Sequence, residues 1–127
     1  MTNKKGKIKK RNKYIEILDD NKILTDILKL YLQDDFRVKT FNDYDDALKH
    51  LEKVKKRPDI FLVDILLGKN KTGIDFAREI EKYGVKIIYF TGCAKGDPIY
   101  KSAQMTGAII LEKPISLEEI KDVLNGQ

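Results

Sequence analysis

The sequence predicts an α/β domain built on a doubly wound, parallel sheet, and three observations carry that expectation. Five short apolar runs alternate with amphipathic stretches along the whole chain. The third, fourth and fifth runs are apolar on nearly every residue, as strands buried on both faces of a parallel sheet must be. Polar residues, three of the five of them carboxylates, collect directly after the runs, where such a sheet exposes its ligand-binding edge.

The first run, "YIEIL" (14–18), ends in Asp19, Asp20 and Asn21. After it, Ile23, Ile27 and Tyr31 recur every four residues beside Leu24, Leu28 and Leu32, which is helical spacing. "FRVKTF" (36–41) is the second run, followed by a helical stripe of Ala47, Leu48 and Leu51. The third, "DIFLVD" (59–64), stops at Asp64 and dissolves into "GKNKTG" before a stripe of Ile74, Ala77 and Ile80. "VKIIYF" (85–90) ends in Thr91 and Gly92, and the helix expected over Asp97 to Met105 has only a thin apolar face, chiefly Ile99 and Ala103. "AIIL" (108–111) ends in Glu112, Lys113 and Pro114. The last helix is the best punctuated: Ser116 and Glu119 form a capping box, Leu117, Ile120, Val123 and Leu124 make its apolar face, and Gly126 ends it.

With 127 residues the chain forms one domain, large enough to bury a core without disulfides. Its one cysteine, Cys93, cannot form an internal bridge, and a reducing cytoplasm is the expected compartment. No apolar run is long enough to cross a membrane, and the basic lead "MTNKKGKIKKRNK" has no signal-peptide core behind it. The net charge of +5 is unevenly spread: residues 1–13 hold seven of the 25 basic residues and none of the 20 acidic ones, leaving 18 against 20 over residues 14–127, a balance of −2. Residues 1–12 therefore read as a basic, disordered tail and residues 13–127 as the domain, with nucleic acid an unlikely partner for the domain itself.

If the strands are parallel, Asp19, Asp20, Asp64, Thr91 and Lys113 lie along one edge of the sheet. Alone, each has an ordinary reading: a helix cap, a turn, a solvated charge. Together they form a set with a purpose. Converging carboxylates repel by roughly 4 kcal/mol per pair at ~4 Å and an effective dielectric of about 20, an arrangement that a hard divalent cation such as Mg²⁺ relieves. Lys113 adds a positive charge for an anion and Thr91 a hydroxyl donor. These are the groups needed to move a phosphoryl group onto a carboxylate.

Through "YIEILDDN", "PDIFLVDILLG" followed by "GIDFAREI", "IIYFTG" and "GAIILEKPIS", residues 13–125 resemble the receiver domain of bacterial two-component response regulators, in the single-domain form of chemotaxis regulators. The resemblance implies a flavodoxin-like sheet of order 2-1-3-4-5 with five helices, and a switched binding module in a phosphorelay instead of an enzyme. It implies Asp64 as phospho-acceptor and Mg²⁺ as cofactor, held directly by Asp20, Asp64 and the backbone carbonyl of Leu66, with Asp19 acting through water. Thr91 and Lys113 would contact the phosphoryl oxygens, and the Lys113–Pro114 bond would be cis. The implied partners are a sensor histidine kinase or histidine phosphotransfer protein and a downstream protein effector, docking around Asn21 to Leu28 and Pro114 to Ser116.

The chain departs from that pattern in places. Gly68 stands where the family usually has proline, and the loop after it is one residue longer, which should loosen it. Ile110 occupies the switch position that usually carries an aromatic ring, and the segment Gly107 to Lys113 is one residue short. His50 is solitary on a helical stretch and reads as a surface residue. The alternative from another class is a small Mg²⁺-dependent phosphohydrolase of the haloacid dehalogenase type. Such enzymes need a second acid two residues after the nucleophile, where this chain has Leu66, and a substrate-covering cap for which 127 residues leave no room.

Overall fold

The computed structural model describes residues 13–127, and the tail expected over 1–12 lies outside the described residues. Five strands, β1 (Tyr14–Leu18), β2 (Arg37–Phe41), β3 (Ile60–Asp64), β4 (Lys86–Thr91) and β5 (Ile109–Glu112), alternate with α1 (Lys22–Leu32), α2 (Tyr44–Lys53), α3 (Gly73–Ile80), α4 (Pro98–Met105) and α5 (Leu117–Asn125). They form one parallel sheet of order β2-β1-β3-β4-β5. Helices α1 and α5 cover one face, where Leu28, Leu32, Ile120 and Leu124 pack on Ile15, Ile17, Leu62 and Phe90. Helices α2, α3 and α4 cover the other, burying Ala47, Leu51, Phe76 and Ala103 against Phe61, Val63 and Tyr89. Each large apolar side chain buried this way contributes about 1.5–3 kcal/mol, which is why the central strands carry no polar residue between Ile60 and Val63.

Of the two stripes read on α1, only one enters the core. Leu28 and Leu32 are buried, whereas Ile23 is 74 % exposed and Ile27 48 %. Ten-ångström helix spacing leaves room for one stripe against the sheet, and the neighbouring stripe faces away. The fourth helix is better anchored than its sequence suggests, because Tyr100 is buried beside Ala103.

His50 is not the free surface residue expected. Its Nε2 lies 3.4 Å from Oε2 of Glu16, a carboxylate in the middle of β1 with no exposed surface. The Tyr14 hydroxyl donates to the same oxygen at 2.5 Å. Burial raises the Glu16 pKa, and Tyr14, His50 and Lys39 offset part of that effect. A charged residue inside a strand buried on both faces needs partners from elsewhere in the chain, and α2 supplies one.

The loop after β3 is tighter than expected. Gly68, Lys69 and Asn70 take consecutive left-handed conformations (φ 72°, 50° and 61°), a backbone that proline cannot adopt, so the glycine accounts for the missing proline. The Leu67 N–H donates to the Lys71 carbonyl and the Lys71 N–H to the Gly68 carbonyl, closing the extra residue into a small turn. Leu66 and Thr72 pair across it. Thr72 then caps α3 by accepting from the Asp75 N–H, and Gly73 passes directly beneath the end of β3.

A β-carbon at Gly73 would lie 2.3 Å from the Asp64 carbonyl oxygen, which only a shift of backbone could relieve. Gly73→Ala is expected to cost at least 1–3 kcal/mol, the usual range for forcing an extra methyl into a packed site, read as a lower denaturation midpoint at unchanged m-value.

Candidate functional site

All five polar groups read from the strand ends sit at one edge of the sheet. Asp19 and Asp20 follow β1, Asp64 ends β3, Thr91 ends β4, and Lys113 follows β5. The first helix begins with Asn21, whose side chain accepts from the Leu24 N–H, so neither aspartate is used as its cap. One carboxylate oxygen each from Asp19, Asp20 and Asp64 lies within 4.8 Å of the others. Asp19 and Asp64 are buried and Asp20 is exposed at the mouth.

The ordinary readings of these residues are partly true as well. Asp64 Oδ1 accepts from the Leu66 N–H at 3.3 Å, and Thr91 Oγ1 accepts from the Cys93 N–H at 3.0 Å, both local turn bonds. The difference lies in the second oxygen of Asp64. Lys113 Nζ donates to Asp64 Oδ2 at 3.0 Å and to Asp19 Oδ2 at 2.9 Å, bridging strands one and three across 94 and 49 residues of chain. Its ammonium also stands 4.9 Å above the Phe90 ring. The Lys113–Pro114 peptide bond is cis.

Electrostatically the cluster is unbalanced. Burial pushes the Asp64 carboxyl up to about 6; the Lys113 hydrogen bond opposes this and the Asp19 charge adds to it. Loss of hydration, followed by the adjoining Asp19 carboxyl, raises Asp20. Burial works against the Lys113 ammonium, but the two carboxylates outweigh it and its pKa is raised. Three carboxylates face one ammonium. A set of hard oxygen donors with surplus negative charge at this spacing fits a divalent ion such as Mg²⁺ and suits a softer, thiolate-preferring metal poorly.

Leu66 lies beside the cluster with its side chain half exposed, and Gly68 approaches it closely enough that a β-carbon there would be 3.2 Å from Asp20 Oδ2. Ile110 is the ladder neighbour of Tyr89, two residues short of Thr91 on the same face of the sheet. Sequence reading missed Tyr100, whose hydroxyl donates to Glu112 Oε1 at 3.0 Å, although its i, i+3 spacing from Ala103 was a visible sign of an inward face.

A family model of the response regulator receiver domain matches residues 15–125. Among solved structures, the chain is similar to a response regulator receiver domain protein of Clostridium thermocellum (24 % identity, 90 % of this chain and 92 % of that one, TM-score 0.79). It is also similar to a chemotaxis protein of Vibrio cholerae (23 %, 91 % and 98 %, 0.76) and to the beryllium fluoride-activated receiver domain of DrrB (22 %, 91 % and 96 %, 0.77). At these identities the likeness is one of fold. A search of curated protein sequences finds no match.

Because the folded-state pKa of Asp64 lies above its unfolded value of 3.8, the native domain binds the extra proton. That contribution to stability is fully present below about pH 4 and is lost as the pH rises through about 6. Asp64→Asn, which cannot ionise, is therefore expected to stabilise the metal-free domain at neutral pH. The shift corresponds to an upper bound of about 3 kcal/mol, reduced by the weaker hydrogen bond to Lys113. Denaturation in a chelating buffer at pH 5 and pH 7 checks this: the advantage of the variant should be larger at pH 7.

Proposed function

As the chain belongs to the response regulator receiver domain family, we propose that it is a phosphorylation-switched module whose acceptor is Asp64. The observation that carries this reading is Lys113, whose ammonium holds the two buried carboxylates together at the mouth of the sheet. In the reaction, a carboxylate oxygen of Asp64 attacks phosphorus, an O–P bond forms, and the N–P bond to the donor histidine breaks. The transferring group needs positioning and charge neutralisation more than covalent assistance. Lys113 is already within hydrogen-bond reach of the acceptor oxygen and neutralises charge there. The Thr91 hydroxyl, whose oxygen accepts from the Cys93 N–H, has its O–H to donate to a phosphoryl oxygen.

Asp20, Asp64 and the Leu66 carbonyl would hold Mg²⁺, with Asp19 contributing through water. When bound, the ion supplies charge neutralisation on the phosphoryl oxygens. A sensor histidine kinase or phosphotransfer protein is the donor, and a protein effector is the recipient of the signal. The stripe of Ile23, Ile27 and Leu30 that α1 leaves uncovered lies on the helix that follows Asp19 and Asp20 in the chain and fits the apolar part of a donor's surface. No helix among the described residues is long and apolar enough to cross a membrane, consistent with a cytoplasmic place in the relay.

With acetyl phosphate and Mg²⁺, intact mass should rise by one phosphoryl group in the wild type and not in Asp64→Asn. Labelling of that variant at the wild-type rate would move the acceptor elsewhere. Lys113→Ala should remain folded and take up phosphate more slowly. Mg²⁺ at one hundred times its dissociation constant should add about 2.7 kcal/mol, a rise of roughly 5–10 °C in melting midpoint, and Asp20→Ala should abolish the rise.

A further inference from the structure

One carboxylate next to the site is used by neither the acceptor nor the metal cluster. Glu112 closes β5. It is joined by a peptide bond to Lys113 and faces Thr91 across the β4–β5 ladder. At this point the strands are held by a short bond from the Lys113 N–H to the Thr91 carbonyl, 2.7 Å long. Because side chains alternate along a strand, Lys113 enters the acidic cluster while Glu112 emerges on the opposite face, the one that α4 covers.

There Glu112 gathers two other segments. The Tyr100 hydroxyl of α4 donates to its Oε1 at 3.0 Å, and Lys95, from the loop between β4 and α4, places its ammonium 3.5 Å from the same oxygen. Tyr100 is buried, so the hydrogen bond is held by packing, while Lys95 is exposed and its ion pair is correspondingly weak. All three side chains line a single open cleft together with Lys113 and Pro114.

Resting on the acceptor reading of Asp64, we propose that Glu112 is a positioning residue that couples the phosphorylation site to α4, with Tyr100 and Lys95 forming a latch that holds α4 and its loop in the unphosphorylated arrangement. A phosphoryl group on Asp64 draws Thr91 and the Lys113 ammonium toward it. Glu112 is fastened to the main chain of both, to Thr91 through the ladder and to Lys113 through the peptide bond, so a backbone shift that accompanies their movement carries its carboxylate along. The latch then opens and α4 is released. Ile110 next in the strand offers no polar atom for this purpose, which leaves Glu112 as the residue of β5 that makes polar side-chain contact with α4 among the described residues.

If the latch favours the unphosphorylated state, removing it must tighten binding of a phosphoryl mimic, because coupling between two sites is reciprocal. The test is titration of the full chain with beryllium fluoride and Mg²⁺ by calorimetry, paired with amide exchange of residues 94–105. Tyr100→Phe keeps the ring and the core. It should bind the mimic about five- to tenfold more tightly, in the lower range of known couplings, and should exchange faster in α4 before the mimic is added. Glu112→Gln, which retains an acceptor for the tyrosine but loses the charge, should fall between the two. General damage to the fold would weaken binding, so a gain in affinity separates coupling from mere destabilisation. Unchanged or weaker binding in Tyr100→Phe, with wild-type exchange in α4, overturns the latch alone. A wild-type chain that binds no beryllium fluoride overturns the acceptor reading and the latch with it.

Discussion

The bridge from Lys113 to Asp19 and Asp64 is the interaction on which the rest of the site depends. Two carboxylates buried at neighbouring strand ends cannot both stay charged in a place water scarcely reaches unless something compensates them. A lysine arriving from beyond the far edge strand does so, and its own main chain is tied to β4 by the bond from its N–H to the Thr91 carbonyl. The compensation is incomplete by design of the charges: one ammonium for three carboxylates leaves the mouth of the cluster, where Asp20 stands, open to a cation from solvent. The same ammonium that stabilises the resting domain is therefore positioned to meet an incoming anion.

Several features of the backbone serve that arrangement. Asn21 takes the cap of α1, so that Asp19 gives only its Oδ1 to a local bond, from the Asn21 N–H, and keeps Oδ2 for Lys113. Gly73 lets α3 start in contact with the main chain of Asp64, where a β-carbon would not fit. Gly68 allows the left-handed turn that brings the longer loop back beside Asp20 without a side chain intruding on its carboxylate. A proline there would have stiffened a shorter loop; in this chain hydrogen bonds across the turn do the same work.

The strands and the acidic edge could be read from the sequence because both follow from local rules. An apolar run such as Ile60 to Val63 has few alternatives to a central strand, and parallel strands must end on the same side. What could not be read depends on contacts distant in the chain. Ile23 and Leu24 are adjacent residues of similar hydrophobicity, and the twist of α1 on the sheet decides which enters the core. His50 looked solitary because its partner, Glu16, lies 34 residues earlier in the chain. Tyr100 was overlooked for a related reason: an aromatic in a polar helix declares itself buried only when the strand beneath it is known.

Position within the sheet sets β5 apart as the route for the proposed coupling of Asp64 to α4. β1, β3 and β4 each have a strand on both sides and helices on both faces, so a displacement in any of them breaks packing in four directions. β5 is an edge strand of four residues with one ladder neighbour, and its pleat carries Lys113 to the charged cluster and Glu112 to α4. β2, the other edge, meets the cluster only through the main chain of Asp19, whose N–H donates to the Phe41 carbonyl and whose carbonyl accepts from Asn42, among the contacts of the described residues. β5 is thus the edge strand whose following residue, Lys113, places a charged side chain in the cluster, and it touches α4, the helix with the fewest buried residues on that face. An edge strand with one ladder neighbour has fewer contacts to break in a short movement than a central one, which is the packing argument for the proposed coupling of Asp64 to α4 through β5.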